Sequence, residues 1–309
     1  MSTTNNPRIK KLAVLTGGNG YIGRNLNRYL LGSGWDTVLL LRGDRQAIIP
    51  RYNGSGRCRT ARYDGTKQSL NLLELNGDSN VVFFHLAAYT GFGQTLDSVD
   101  RLIDSNISFG THLLDYMCRH ECKNFVFAES YWQFDEQGRL GGNNLYAVTK
   151  SAFSLLAQHY SKCIQTISLV LYDVYGPDDD RGKLANILIN SAATQAPVDV
   201  TQGEQVLDYV YIDDVVRAFY VAGNTLLESV CEDSLRFRRA TVRTLEARQL
   251  VEYVDIIGQV MGRLPNVRWG ARPYSVDQIM VPWLPPASVQ LPNWSPTVSF
   301  YSGVNKILT

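Results

Sequence analysis

The sequence predicts an α/β fold, in which a doubly wound parallel sheet is joined to a smaller, mostly C-terminal part. Three observations predict this class: short runs that are apolar throughout, amphipathic segments between them, and a glycine-rich turn after the first run. Strands that are apolar on both faces are typical of a parallel sheet buried between helices. Alternation of such strands with helices, joined by right-handed crossovers, gives a doubly wound sheet.

The first half of the chain is regular. It supplies predicted strands at Leu12–Thr16, Thr37–Leu41, Val81–Leu86, Asn124–Ala128 and Ile167–Tyr172. Helices are predicted where apolar residues recur at intervals of three and four, at Ile22–Leu31, Val99–Arg119 and Tyr146–Tyr160.

The second half is less regular. It predicts a helix at Leu184–Ala193, a strand at Tyr209–Ile212 and a helix at Val215–Ala222. Prolines are frequent toward the C-terminal end. We expect this part to form short pieces over the carboxyl edge of the sheet, where such folds bind ligands.

Composition excludes several classes of protein. The chain has 309 residues, of which 45% are hydrophobic, so one large domain or two intimate ones can form a core. The formal net charge is +1 and the basic residues are scattered, which argues against nucleic-acid binding. No apolar run is long enough to span a membrane, and the N-terminal segment lacks the apolar region of a signal peptide. We therefore expect a soluble, cytoplasmic protein without a membrane or nucleic-acid partner.

The cysteines are odd in number and include no C-x-x-C pair. They are Cys58, Cys118, Cys122, Cys163 and Cys231. Cys118 and Cys122 share one face of a predicted helix, but a metal site would require further ligands nearby. We therefore expect reduced structural thiols and no metal site.

A glycine motif follows the first predicted strand. Gly17, Gly20 and Gly23 have the spacing G-x-x-G-x-x-G, and Tyr21 and Ile22 open the next helix. Glycine permits the tight turn and a close approach of the backbone to a pyrophosphate, and the helix N-terminus offers unpaired N–H groups to phosphates. Because the motif lies between a strand and a helix, it predicts a dinucleotide-binding site of the Rossmann type.

The tip of the second strand predicts which dinucleotide is bound. An acidic residue there would accept hydrogen bonds from the adenosine ribose and select NAD(H). This chain has Arg42 at the tip and Arg45 just beyond, and a guanidinium suits a 2′-phosphate, so NADP(H) is favoured over NAD(H). The alternative is that Arg42 is an exposed loop residue and Asp44 serves the ribose.

Two further residues are candidates for contact with the dinucleotide. Asp64 follows a strand-like stretch and is a candidate partner for the adenine amino group, with surface solvation as the alternative. Ala87 belongs to the segment His85–Ala88, whose small residues would let the backbone pass close to the cofactor.

A tyrosine and a lysine lie one helical turn apart at the start of the predicted helix Tyr146–Tyr160. The spacing of Tyr146 and Lys150 places a phenol and an ammonium on one face. The ammonium would stabilise the phenolate and move the pKa of the phenol toward the working range. Ser130, at the end of another strand, could polarise a substrate oxygen beside the phenol. Asn106, within a long helix, either braces the backbone near this site or is a satisfied buried residue.

These motifs together resemble a known family. The chain resembles the extended short-chain dehydrogenase/reductases, which include nucleotide-sugar epimerases, dehydratases and reductases. The resemblance rests on the order and spacing of Gly17–Gly23, His85–Ala88, Asn106, Ser130 and the pair Tyr146 and Lys150. It covers nearly the whole length, including the second-half segments 175–177 and 208–216.

The resemblance implies a role for each matching residue. Tyr146 would donate a proton, Ser130 would polarise the carbonyl, and Lys150 would hold the nicotinamide ribose and lower the pKa of the tyrosine. Segments 130–133, 144–150 and 171–177 are most similar to the branch of nucleotide-sugar 4-ketoreductases to which CDP-abequose synthase belongs. The implied division is a dinucleotide-binding domain at residues 1–173, with a later contribution from about 206–223. The substrate-binding portion would comprise residues 174–205 and 224–309.

Two departures from the family pattern bear on the substrate. Tyr131 and Trp132 follow Ser130 where dehydratases carry an Asp-Glu pair, so 4,6-dehydration is not expected. Both aromatic residues either shape a sugar pocket or belong to the core. Leu207 and Ser275 stand where many epimerases carry arginines that bind the substrate diphosphate. The candidates to replace those arginines are Arg217, Arg268, Arg272 and Lys183.

The favoured hypothesis is NADPH-dependent reduction of the 4-keto group of a nucleotide-activated deoxysugar. The alternatives are an NAD-dependent nucleotide-sugar 4-epimerase, a reductase of another carbonyl compound, and a non-catalytic dinucleotide-binding sensor or scaffold. Helices Val99–Arg119 and Tyr146–Tyr160 would either pair in a homodimer or pack within the chain. The run Asp178–Asp180 is interpreted as a solvated turn, because hydride transfer needs no metal.

Overall fold

The computed structural model describes residues 10–43, 46–49, 51–75, 80–91, 95–228 and 236–308. Its strands are β1 Leu12–Thr16, β2 Asp36–Arg42, β3 Cys58–Tyr63, β4 Val81–His85, β5 Asn124–Ser130, β6 Gln165–Leu171, β7 Asp173–Tyr175, β8 Val198–Asp199, β9 Val206–Leu207, β10 Tyr209–Tyr211, β11 Phe237–Val242, β12 Arg248–Gln249 and β13 Val267–Arg268. Its α-helices are α1 Tyr21–Gly32, α2 Leu96–Ile103, α3 Phe109–Arg119, α4 Leu145–Tyr160, α5 Leu184–Thr194, α6 Ile212–Glu228, α7 Leu250–Met261 and α8 Phe300–Leu308.

A seven-stranded sheet with the order β11-β6-β5-β4-β1-β2-β3 forms the centre of the molecule. Every pairing within it is parallel. Six of the strands follow the order 3-2-1-4-5-6 that is typical of dinucleotide-binding sheets. The predicted α/β class and the doubly wound parallel sheet are confirmed.

The two faces of the sheet bury separate clusters of apolar side chains. Leu15 and Phe84 belong to the cluster that α1 and α6 cover, whereas Val14 and Phe83 belong to the cluster under α3 and α4. These neighbouring strand residues point to opposite faces because the side-chain period of a strand is two. The central strands are therefore buried on both sides, as their uniformly apolar sequences predict.

The predicted helix Val99–Arg119 contains a different local structure at its centre. Helix α2 is followed by a single π-helical segment, Asp104–Ser108, and then by α3. Single π-turns within α-helices are rare and are frequent at functional sites. This one contains Asn106, whose side-chain contacts are described below.

Two edge strands and two helices lie outside the predicted elements. Strands β3 and β11 form the edges of the main sheet, and β11 belongs to the part of the chain that was assigned to substrate binding. Helices α7 and α8 pack together beside the small strand pairs β12–β9 and β13–β8. The division of the chain into two functional portions stays a prediction.

The expectation of reduced cysteines is wrong for one pair. Cys118, at the end of α3, forms a disulfide with Cys163, in the turn after α4. The pairing was missed because the two residues are far apart in sequence, and only the packing of α3 against α4 brings them together. Cys58 and Cys122 have free thiols. Cys231 lies outside the described residues.

Candidate active site

Two cavities open at the carboxyl edge of the main sheet and meet at the glycine turn. The first, which we call the catalytic cavity, has a volume of about 530 Å³ and is lined by Ser130, Tyr146 and Lys150 among others. The second, the adenosine cavity, has a volume of about 400 Å³ and is lined by the tip of β2 and by Ala87. Gly17 and Gly20 line both cavities. An elongated ligand can therefore run from one cavity to the other across the turn.

The glycine turn requires residues without a side chain. Gly17 has a φ of +70°, and a Cβ there would lie 2.6 Å from the backbone nitrogen of Ala87. A Cβ on Gly23 would lie 2.1 Å from the carbonyl oxygen of Gly17. Helix α1 thus packs directly on the turn. Its N-cap, Gly20, makes no side-chain capping bond, so the first-turn amides of Tyr21 and Ile22 are presented toward the cavities, as binding of a pyrophosphate requires.

Arg42 lies at the wall of the adenosine cavity. Its guanidinium donates to the Ser105 hydroxyl at 2.6 Å and pairs with the Asp104 carboxylate at 3.1 Å. Both partners belong to the π-helical segment, which therefore fixes the position of the arginine. The structure thus holds a positioned cation at the wall of this cavity.

Asp64, which was also proposed for the adenosine end, does not line this cavity. Asp64 accepts hydrogen bonds from the backbone nitrogen and the hydroxyl of Thr66, which lower the pKa of its carboxyl. It closes a turn after β3 and is absent from the wall of the adenosine cavity. Arg45 and Asp44 lie outside the described residues.

Tyr146 and Lys150 project from the first turns of α4 into the catalytic cavity. The helix begins after Asn144, whose side chain accepts a hydrogen bond from the Ala147 nitrogen at 2.9 Å. The Lys150 ammonium donates to the carbonyl oxygen of Ala128, on β5, at 2.6 Å. The Tyr146 hydroxyl is hydrogen-bonded with Ser130 at the end of the same strand. The phenol, the amine and the hydroxyl predicted from sequence therefore meet in one cavity.

The electrostatic expectation for this pair needs correction. Burial raises the pKa of Tyr146 to about 12, and the hydrogen bond with Ser130 only partly opposes it. Burial also lowers the pKa of Lys150 to about 8, against the attraction of the Glu129 carboxylate. Desolvation is the largest cause of both shifts, because both groups lose water on burial. With a pKa of about 12, the tyrosine is protonated at neutral pH.

Asn106 braces the loop after β4 against α4. Its side-chain oxygen accepts from the Tyr89 nitrogen at 2.7 Å, and its nitrogen donates to the Tyr89 carbonyl oxygen at 3.1 Å and to the Thr149 hydroxyl at 3.0 Å. The Thr149 hydroxyl in turn donates to the Tyr146 carbonyl oxygen at 2.8 Å. Asn106 is buried, and both its side-chain oxygen and its side-chain nitrogen are hydrogen-bonded. The same bonds hold the loop after β4 against α4, so both alternatives for this residue hold.

His85 ends β4 in the same region but is not a proton-transfer group. It is buried, and its Nδ1 shares a hydrogen bond of 2.8 Å with the Thr16 hydroxyl. Burial, together with the nearby Lys150 charge, lowers the pKa of His85 to about 3. The ring is therefore neutral at working pH and fastens β4 to β1 beside the glycine turn.

The substrate side of the catalytic cavity contains three of the predicted residues. Tyr131, Trp132 and Lys183 line it, and Tyr131 stacks on Tyr172 with ring centres 5.2 Å apart. Tyr131 is nearly fully buried, so it is both a core residue and part of the cavity wall. Arg272 is not brought to this cavity. Its backbone nitrogen donates to the Val200 carbonyl oxygen beside the β13–β8 pair, and its side chain is exposed.

Arg181 and Asp173 also line the cavity, although they were not predicted from the sequence. Arg181 forms a two-point pair with Asp179 and lies 4.5 Å from the centre of the Tyr21 ring. The Tyr21 hydroxyl donates to the Pro177 carbonyl oxygen at 3.1 Å. These contacts anchor the loop that carries Lys183 to the first turn of α1. The run Asp178–Asp180 is thus partly structural, because arginines bind two of its carboxylates.

Asp173 is a carboxylate on the substrate side of the cavity. One of its oxygens is buried without a hydrogen-bond partner among the described residues. Burial raises the pKa of this carboxyl to about 6, although Lys183 and a hydrogen bond from Tyr131 oppose the shift. A buried carboxylate oxygen without a partner can accept a hydrogen bond from a ligand. A single acidic residue after a strand forms no motif, so the sequence alone does not indicate this site residue.

The remaining arginine candidates are engaged elsewhere. Arg217 bonds Asp214 at 2.5 Å, and Arg268 bonds Asp199 at 2.5 Å. Neither lines the catalytic cavity. Of the candidates for the diphosphate of a substrate, Lys183 alone lies at this cavity.

The chain belongs to the NAD dependent epimerase/dehydratase family, whose family model matches residues 13–230. This agrees with the resemblance to extended short-chain dehydrogenase/reductases. The chain is 30% identical to the CDP-abequose synthase of Yersinia pseudotuberculosis over 274 residues, covering 87% of this chain and 90% of that protein. It is 25% identical to the CDP-abequose synthase of Salmonella typhimurium over 309 residues, with 97% and 98% coverage.

Solved structures support the fold. MoeE5 in complex with UDP-glucuronic acid and NAD superimposes with a TM-score of 0.78 at 23% identity, covering 95% of this chain and 96% of that one. The UDP-glucose 4-epimerase of Thermus thermophilus, in complex with NAD, gives a TM-score of 0.77 at 21% identity, with 96% and 97% coverage. At these identities, the likeness establishes the fold.

Within the described part of the chain, no group of three or more His, Cys, Asp or Glu side chains is placed to hold a metal ion. In the same residues, none of the helices has the length and apolar character needed to cross a membrane.

Proposed function

We propose that this protein reduces the 4-keto group of a nucleotide-activated deoxysugar with NADPH. The observation that carries the proposal is that Ser130, Tyr146 and Lys150 line one cavity, which continues past the glycine turn into a second cavity. The similarity to CDP-abequose synthases, which extends over nearly the whole chain, supports a nucleotide-sugar substrate.

The residues of the catalytic cavity divide the reaction between them. Ser130 donates a hydrogen bond to the ketone oxygen, and the Tyr146 hydroxyl gives its proton to that oxygen as the alcohol forms. When bound, the reduced nicotinamide supplies the hydride to the carbonyl carbon. One ketone, one hydride and one proton thus give one alcohol, and the Tyr146 phenolate regains its proton from water.

Lys150 makes the tyrosine a usable acid. With the protein alone, the pKa of Tyr146 is about 12, which is too high for rapid proton transfer at neutral pH. A protonated Lys150 stabilises the phenolate, and the positive charge of the oxidised nicotinamide adds to this effect. Lys150 also holds the nicotinamide ribose in this proposal.

The choice of NADPH rests on Arg42. Its guanidinium is fixed at the wall of the adenosine cavity by Asp104 and Ser105. A 2′-phosphate would add a second anion to a cation that is already positioned, through charge-assisted hydrogen bonds.

On the substrate side, Lys183 would bind the diphosphate, and Tyr131 and Trp132 would border the sugar.

An NAD-dependent 4-epimerase is the second candidate. The observation that favours it is the pairing of Arg42 with Asp104, since a neutralised arginine selects less strongly for a 2′-phosphate. A structural neighbour described as a UDP-glucose 4-epimerase in complex with NAD adds support.

We further expect a homodimer in the cytoplasm. Val148 and Leu155 on α4 are exposed apolar residues, as a helix-pairing interface would require.

The test is a substrate panel. Purified protein is first examined by mass spectrometry for copurifying nucleotides. NADPH oxidation is then followed with CDP-, dTDP- and GDP-4-keto-6-deoxysugars, with Y146F as the catalytic control. Oxidation that depends on one of these sugars and is lost in Y146F supports the proposal. Tightly bound NAD and sugar interconversion without net NADPH consumption would replace it by the epimerase.

A further inference from the structure

A buried chain of hydrogen bonds lies behind Ser130. Of its other members among the described residues, Glu129 lines the catalytic cavity, and Gln133, Ser154 and Arg239 do not. Arg239 donates from Nε to Glu129 Oε2 at 2.7 Å and from Nη2 to Oε1 at 3.1 Å. The Ser154 hydroxyl also donates to Oε1, and Gln133 Nε2 donates to the Ser154 oxygen at 3.1 Å. The Gln133 side-chain oxygen accepts from the Ser130 nitrogen at 2.8 Å, which closes the chain. We call these residues the Glu129 cluster.

Glu129 is a fully buried side chain held by an ion pair in this cluster. Its side chain has no exposed area, and a carboxylate can be buried as an anion only when it is paired and hydrogen-bonded. The two-point contact with Arg239 provides this pairing. Arg239 lies on the edge strand β11, so its side chain reaches past β6 to β5. The guanidinium lies close to the rings of Phe134 and Phe237, at 5.1 and 5.6 Å from their centres.

The cluster orients Ser130. Gln133 fixes the Ser130 backbone nitrogen, and the Ser130 hydroxyl oxygen accepts from the Trp132 nitrogen at 3.3 Å. With an acceptor site of the oxygen occupied in this way, the hydroxyl proton is directed away from the turn, toward Tyr146. This is the direction from which a ketone oxygen would be polarised.

The cluster also supplies the negative charge that Lys150 faces. The Lys150 ammonium is bonded at 2.6 Å to the carbonyl oxygen of Ala128, the residue before Glu129, and both Lys150 and Glu129 line the catalytic cavity. The Glu129 charge opposes the burial that lowers the pKa of Lys150. Two other titratable groups beside Lys150 are uncharged at neutral pH: Tyr146 on the same helix has a pKa of about 12, and His85 on β4 has one of about 3. Asp173, Arg181 and Lys183 line the same cavity, but Glu129 is the charged group that shifts the pKa of Lys150. Arg239 is paired with Glu129 and is balanced by it.

We infer that Glu129 is a positioning residue, which keeps Lys150 protonated and Ser130 oriented through the contacts of the cluster. The inference rests on the proposed function, in which both residues act on the substrate or cofactor. Removing the charge of Glu129 would leave two cations, Lys150 and Arg239, without an anion between them. Lys150 would then lose its proton at a lower pH than in the wild type.

The test is the E129Q variant, which keeps the shape of the side chain and removes its charge. The dissociation constant for NADPH and the kcat for reduction are measured from pH 6 to pH 9. In the wild type, NADPH binding should weaken and kcat should fall as the pH rises through the pKa of Lys150, about 8. We call this decline the basic limb. In E129Q the same limb should move down by about one pH unit, the size of a typical neighbouring-charge effect. The loss should thus be small at pH 6, about fivefold at pH 8 and close to tenfold at pH 9.

The matched control is D208N. Asp208 is also a fully buried carboxylate, paired with Arg243 at 3.0 Å, and its charge does not shift the pKa of Lys150. Its loss should lower stability without moving the basic limb. A loss in E129Q that is equal at every pH would mean a merely structural role and would overturn the inference. A basic limb at the same pH in E129Q as in the wild type would also overturn the inference.

A second variant covers the case in which E129Q does not fold. R239Q leaves the Glu129 charge to be balanced by Lys150 alone, so the basic limb should move to higher pH. An unmoved or lowered limb in R239Q contradicts the inference. Because NADPH binding is measured without substrate, this readout survives even if no sugar is reduced, and failure of the proposed function is then seen separately as absent turnover in the wild type.

Discussion

Replacement of Arg42 by alanine tests the proposed preference for NADPH. The guanidinium is the cation fixed at the tip of β2, bonded to Ser105 at 2.6 Å and paired with Asp104 at 3.1 Å. R42A removes it without disturbing the core, because its side chain lies at the sheet edge and is 36% exposed. NADPH should therefore lose a contact that NADH never makes.

The expected loss follows from two features of the site. A hydrogen bond to a charged group contributes about 1.5–3 kcal/mol. The partial exposure of Arg42 and the competing Asp104 carboxylate place this contact at the lower end, at about 1.5 kcal/mol, which corresponds to roughly tenfold in affinity. D104N should act in the opposite direction, since it removes the competing anion and leaves the arginine in place.

The assay is the dissociation constant of each dinucleotide, measured by quenching of protein fluorescence, together with initial rates for both. R42A should weaken NADPH about tenfold and leave NADH unchanged. R28A, in which an arginine on the exposed face of α1 is removed, is the control and should change neither. Equal losses for both dinucleotides in R42A, or none for NADPH, would refute the assignment of Arg42 to the 2′-phosphate.

Three further predictions concern the catalytic acid, a buried carboxyl and the disulfide. Y146F should lower kcat by about 10²–10⁴-fold while NADPH binding survives, which fluorescence titration beside the rate assay can check. Asp173 has a folded pKa raised to about 6, so its contribution to stability is full below pH 4 and is lost as the pH rises through 6. D173N should therefore raise the melting temperature, relative to wild type, more at pH 7.5 than at pH 4, and an equal effect at both would contradict this. C118S opens a disulfide that spans 45 residues and should lower the free energy of unfolding by up to about 4 kcal/mol in denaturant titrations, whereas C58S should have little effect.

The central strands could be predicted from sequence, but the edge strands could not. Strands β1 and β4 are buried on both faces and consist almost entirely of consecutive apolar residues. The edge strands β3 and β11 carry arginines and are only partly buried, as edges that resist further pairing are. Such strands lack the run of apolar residues by which a buried strand is recognised in a sequence.

The proximity of Tyr146 and Lys150 was predictable because their signal is local. Tyr146 and Lys150 are fixed relative to each other by one helical turn, and the glycine turn by its own spacing. Asp173 and the pair of Glu129 with Arg239 have no such local signal. Residues 129 and 239 meet only because β11 returns to the sheet beside β6.

The substrate side was the least predictable part of the site. Lys183 reaches the catalytic cavity because its loop is anchored to α1 through Arg181 and Tyr21. Arg272 has the same charge and was an equal candidate, but its segment is bonded to Val200 at a different place. Charge alone could not distinguish the two, since their positions depend on how irregular segments pack.

The fate of the hydride tests the proposed function most directly. NADPH carrying deuterium at C4 of the nicotinamide ring is incubated with the protein and the accepted nucleotide-linked 4-ketosugar, and the product is analysed by mass spectrometry and NMR. Reduction by external NADPH should place one deuterium on the carbon that carried the ketone, and none should be transferred by Y146F. A product without deuterium at that carbon, formed at an unchanged level of NADPH, would contradict the reductase and indicate epimerisation by a tightly held cofactor.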